Sequence, residues 1–178
     1  MRKVVLTFGL IAGAIMSVLM GLTLAFQDRL GLGHSYILGY TTMVLGFLMV
    51  FFGVKSYRDN VAQGNVSFGR AFVIGLLITA IATVCYVATW EVIYHRFMPD
   101  FADKYAAYTL EKAKQAGATD AQMAAKTREM AQFKEMYANP LVNIALTALE
   151  PLPVGLLFTI VTAGVLGRKR RREGTATS

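Results

Sequence analysis

Glu91 and His95 stand four residues apart in the stretch ATWEVIYH, so on a helix they share one face. A carboxylate and an imidazole at this spacing can hold a divalent metal such as zinc, with His34 and Asp28 as further ligands from the same side of the chain. The plainer reading makes Glu91 and His95 an interfacial pair, hydrogen-bonded to each other or to water. Glu150 poses a harder question, because it lies in TALEPLPVG, inside an apolar run and directly before a proline. Asn143, Thr147 and Glu150 recur at i, i+4 and i+7 and form one polar stripe, continued along the same face by Val154, Leu157 and Val161. Pro151 cannot donate to the Thr147 carbonyl, nor Pro153 to that of Leu149, and a residue preceding proline is disfavoured in the helical region. A kink or break is therefore expected at Glu150, with free carbonyls beside a carboxyl group. If Glu91 and Glu150 face each other, they could share a proton or receive a cation, as ionisable residues buried in membranes commonly do.

The elements that position these residues are apolar helices. Of 178 residues, 55% are hydrophobic and only 16% charged, well below the quarter usual in soluble domains. Four apolar runs, about 4–26, 36–54, 71–94 and 141–167, are each long enough to cross a bilayer as a helix of about 20 residues, and none shows the alternation of a barrel strand. Thr23-Leu24-Ala25 could pass for a signal cleavage site, but the first run is longer than a signal core of about 7–15 residues, so it reads as a retained helix. The formal charge of +7 does not point to nucleic acid. Much of it sits in Arg168-Lys169-Arg170-Arg171-Arg172, directly after an apolar run. The one cysteine, Cys85, permits no internal disulfide and reads as a small buried hydrophobe.

Basic residues in short loops set orientation. Arg2 and Lys3, then Lys55, Arg58 and Arg70, then the basic tail all fall on one side if four helices alternate. That side is the cytoplasm, and 168–178 is a basic cytoplasmic tail. Measured from the inner ends, Glu150 lies 17 residues from Gly167, about 25 Å, and Glu91 lies 21 residues from Arg70, about 31 Å, at 1.5 Å per residue. Both carboxylates belong to the outer part of the bilayer, within about 6 Å of each other in height. The prolines then mark where the lipid-embedded helix begins.

The segment 95–140 is a polar, extracytoplasmic insertion that reads as a helical hairpin. Phe101, Tyr105 and Tyr108 form a stripe on its first helix, which carries an Asp100–Lys104 pair and ends at Gly117. Thr119 and Gln122 form a capping box for the second, with Met123, Met130, Phe133 and Tyr137 along one face. The two stripes pack on each other or on the membrane surface, or else form a partner-binding face. Within the membrane, Gly9, Gly13, Ser17 and Gly21, and then Gly39, Gly46 and Gly53, are small residues at spacings that let helix backbones approach closely. They serve packing within the chain or, alternatively, a homo-oligomer.

No phosphate-binding loop, nucleophile elbow or zinc-protease pattern is present. The run Tyr57-Arg58-Asp59-Asn60, the run Val66-Ser67-Phe68-Gly69-Arg70-Ala71-Phe72, the Trp90-Glu91 region and the Lys- and Ala-rich segment after it resemble the bacterial domain-of-unknown-function 4199 family over nearly the whole chain. That resemblance implies a small inner-membrane protein of about four helices and carries no activity with it. The fold expected is all-α integral membrane, a single domain of four transmembrane helices with the extracytoplasmic hairpin between the third and fourth. The function expected is non-enzymatic, structural or accessory, with the hairpin contacting a partner and no cofactor. One alternative is proton- or cation-linked transport through Glu91 and Glu150, since interrupted helices often lie near transport sites. A second is metal binding on the outer face through Glu91, His95 and His34.

Overall fold

The computed structural model of the chain describes residues 1–26 and 32–167, with side chains from residue 37 onward in the second stretch. Asp28, the His34 side chain and the basic tail lie outside the described residues. Seven helices follow in order: α1 Arg2–Ala25, α2 Leu32–Asn60, α3 Phe68–Arg96, α4 Phe101–Gln115, α5 Asp120–Tyr137, α6 Pro140–Leu149 and α7 Pro151–Leu166. Four helical stretches are long and apolar enough to cross a membrane: Arg2–Ala25, Ile37–Asn60, Phe68–Arg96 and Pro140–Leu166.

Local chemistry sets the helix ends. Gln63 and Gly64 adopt positive φ in the turn after α2, and Ser67 then caps α3 by accepting from the Arg70 amide. Thr119 and Gln122 form a reciprocal capping box at the start of α5, and Gly117 turns the chain with a φ of 78°, which glycine adopts without steric cost. Asn139 caps α6 through the Leu141 amide.

Packing registers give each helix its direction. Gly9, Gly13 and Ser17 of α1 lie against Ile81, Cys85 and Thr89 of α3. The two sets advance together in steps of four, so α1 and α3 run parallel. Gly46 meets Met16 and Gly53 meets Phe8, so α2 runs against α1. Gly75 meets Thr159 while Gly155 meets Thr79, so α7 runs against α3. The four apolar helices therefore alternate up and down, and the start of α1, the α2–α3 turn and the end of α7 share one end of the bundle. Gly167 there abuts the backbone of Phe68.

The glycines divide into two groups. A Cβ at Gly13 would stand 2.5 Å from that of Cys85, and one at Gly53 2.5 Å from Ile78 Cδ1, so glycine is what lets these helices approach. Gly21 and Gly39 meet no heavy atom within 4 Å. Phe47, Met16, Ile74, Ile78 and Val50 fill the interior, fully buried. The outward faces are as apolar as the core: Leu10, Val18, Val84 and Leu157 are 55–67% exposed. A continuous apolar exterior of this kind suits hydrocarbon and not water.

At the other end of the bundle, α4 and α5 pack on each other. Lys134 pairs with Asp103, and the rings of Tyr105 and Phe133 lie 5.1 Å apart. Asp100 and Lys104 pair at 2.9 Å, and the Lys104 ammonium holds the Asp100 carboxyl below its ordinary range.

Candidate functional site

The junction of α6 and α7 positions Glu150. The hydrogen-bond ladder is interrupted there, as two prolines demand, yet Glu150 keeps helical dihedrals, φ −64° and ψ −53°. A buried ladder at i, i+4 runs straight through the junction, from Asn143 to Thr147, Pro151, Gly155 and Thr159. Leu157 and Val161 are more than half exposed, because the small Gly155 and Thr159 are what fit against α3 and Phe47. Glu150, three residues after Thr147, sits on the flank of the buried ladder and keeps an exposed edge.

From that flank the Glu150 carboxylate accepts a hydrogen bond of 3.0 Å from the Tyr86 hydroxyl of α3. One helical turn away, the Trp90 indole N–H donates to Asn143 Oδ1 at 3.2 Å, and Thr147 Oγ1 reaches the same oxygen at 3.2 Å. An indole nitrogen only donates, so the Asn143 amide is fixed with its oxygen toward Trp90. Its Nδ2, buried, has no partner among the described residues. Tyr137 of α5 closes this network against Thr147 and Trp90. Burial lifts its phenol above the ordinary value, outweighing those two hydrogen-bonding contacts, so the group stays protonated.

Glu150, Tyr86, Trp90, Thr147 and Tyr137, but not Asn143, line a cavity of ≈ 430 Å³, within the range of about 300–1,000 Å³ typical of small-molecule pockets. The α1 wall includes Met20, the α2 wall includes Gly39 and Tyr40, and the α4 and α5 walls include Phe101 and Phe133. The aromatic stripes of the helical pair thus turn inward. Trp90 packs edge-on to Phe101 at 4.8 Å, and Phe133 lies 5.0 Å from Tyr137. Trp90 is only 8% exposed. It is buried because α4 and α5 fold over it.

Glu91 lies outside this cavity. Its Oε2 pairs with His95 Nε2 at 3.3 Å, on a side chain only 20% exposed, and its buried Oε1 has no partner among the described residues. Because Tyr86 marks the level of Glu150 on α3, Glu91 lies five residues further along, about 7.5 Å higher at 1.5 Å per residue. The two carboxylates engage different partners. Among the described residues, no group of three His, Cys, Asp or Glu side chains could hold a metal ion. Tyr86 and Tyr40 were not legible as site residues from spacing alone. A tyrosine within a long apolar helix was the available signal, since a buried phenol needs a hydrogen-bond partner.

Four helices long and apolar enough to cross a membrane, with an aromatic cavity and one carboxylate at one end, are consistent with a helical membrane protein. The chain belongs to the family described as protein of unknown function (DUF4199), whose model matches residues 7–168. No curated protein and no solved structure matches the chain.

Proposed function

We propose that this is a non-enzymatic multi-pass protein of the bacterial inner membrane that binds a small molecule in the cavity beneath α4 and α5. The observation that carries this reading is the cavity itself, whose walls come from six helices and include one carboxylate. Few apolar bundles keep such a space, since interiors otherwise pack to crystal density. Orientation follows from charge. Arg2, Lys3, Lys55, Arg58 and Arg70 gather at the bundle end shared by the start of α1 and the end of α7, and this supports a cytoplasmic side for that end with the helical pair outside. The inward turn of the aromatic stripes favours a ligand over a partner protein as the business of that pair.

Gly39→Phe tests the reading. Gly39 lines the cavity and meets nothing within 4 Å, so a large side chain there fills the space without displacing a helix. Native mass spectrometry of protein released from its membrane should show a small-molecule adduct on the unmodified chain and none on Gly39→Phe. No adduct on the unmodified chain, or the same adducts on both, overturns the reading.

A further inference from the structure

The composition of the cavity restricts what can occupy it. Seven of its sixteen lining residues are aromatic, against 11% of the chain. Aromatic faces carry a negative quadrupole, which repels anions and attracts cations. Glu150 is the one ionisable carboxylate in the lining, and no Lys, Arg or His joins it among the described residues. No described cation lies within ion-pair distance of it either. A carboxylate held in an apolar bundle by one phenol is expensive to maintain, and an entering positive charge offsets that expense.

The kind of cation follows from the same walls. A divalent metal takes six or more oxygens, or several His and Cys ligands, and the lining has one carboxylate with threonine and tyrosine hydroxyls. A small hydrated ion would have to exchange its water for aromatic carbon. A substituted ammonium has weakly hydrated alkyl groups that suit aromatic walls, and its charge still meets the carboxylate. Its size also suits a space of ≈ 430 Å³.

We infer that the cavity binds a substituted ammonium ion, its charge set against Glu150 and its alkyl groups against the rings of Trp90, Phe101, Tyr137 and their neighbours. This rests on the reading of the cavity as a ligand site and adds the ligand's chemistry. The same group can arrive as a free organic cation or as the headgroup of a choline lipid.

Trp90 is the one tryptophan in the chain and stands in the cavity wall, so its fluorescence reports occupancy directly. The full chain in phosphatidylglycerol nanodiscs is titrated at constant ionic strength with choline, with tetraethylammonium, and with 3,3-dimethylbutan-1-ol, the uncharged isostere of choline. We expect a saturable change with the cations, binding of the isostere weaker by about tenfold or more, and a comparable loss in Glu150→Gln. Glu91→Gln, outside the cavity, should leave the titration unchanged. If phosphatidylcholine nanodiscs shift Trp90 emission by themselves and suppress the choline titration, the source is the lipid headgroup. Equal titrations in both lipids identify the free cation. Equal binding of cation and isostere overturns the inference while leaving a small-molecule site in place. No response to either also overturns it, and the adduct measured by mass spectrometry then decides separately whether the cavity is a ligand site. The ligand comparison in the unmodified chain stays decisive if Glu150→Gln does not fold.

Discussion

Tyr86 donates its phenolic hydrogen to Glu150 across 3.0 Å, tying the middle of α3 to the junction of α6 and α7. The bond has a testable asymmetry. Tyr86→Phe leaves the carboxylate without its donor and should lower stability by about 1 kcal/mol, below the range usual for bonds to charged groups because Glu150 keeps an exposed edge. That is a fall in Tm of about 2–4 °C for a chain of this length. Glu150→Gln removes the charge and keeps an acceptor, so it should leave Tm unchanged or raise it, as expected of a group kept for binding. Thermal unfolding of both variants checks this. A loss in Glu150→Gln as large as in Tyr86→Phe would make the carboxylate a structural element.

Trp90 and Asn143 should be energetically coupled. Asn143→Ala strands the buried Trp90 indole N–H, which costs about 1–3 kcal/mol, and Trp90→Phe leaves Asn143 Oδ1 with the Thr147 hydroxyl alone. The pair removed together should lose less than the sum, with a coupling of about 1 kcal/mol in a double-mutant cycle. Additive effects would mean that the 3.2 Å contact contributes little.

Two glycines of α1 should respond in opposite directions. Gly13→Ala drives a methyl into Cys85, an overpacking that costs about 1–3 kcal/mol. Gly21→Ala meets open space and should stabilise by roughly 0.5–1 kcal/mol through helix propensity. Thermal unfolding of the two variants side by side reads the sign directly.

Tyr137 gives the protein an alkaline limit. Its folded-state value is raised by burial, so the folded chain keeps the proton after the unfolded chain would release it near the ordinary value of about 10. The stability linked to Tyr137 is therefore fully present below that value and is lost as pH rises through it toward the folded value. The slope of stability against pH between about pH 9 and 11 should be steeper in the unmodified protein than in Tyr137→Phe. Equal slopes would remove Tyr137 from the buried network.

Much of this architecture is written locally in the sequence. The four apolar runs, the Thr119 capping box, the Asp100–Lys104 pair and the approach of His95 to Glu91 depend only on length, periodicity and spacing within one helix. The site does not. Tyr86 meets Glu150 because Gly75 and Gly155 let α3 and α7 approach in one particular register, and that register is a property of two helices together. Trp90 is buried because α4 and α5, encoded later, fold back over it. The burial of Gly155 and Thr159 shows the same limit, because the neighbouring helix decides which face is covered.

The walls of the cavity come from α1, α2, α3, α4, α5 and α6, which sets an order of assembly. Residues up to Arg96 supply the contact of α1 with α3 through Gly9, Gly13 and Ser17, but they include neither α4 and α5 nor Glu150. The pocket is therefore complete only when α4, α5 and the junction of α6 and α7 are in place. Occupancy of the pocket would then report that biogenesis of the chain is complete.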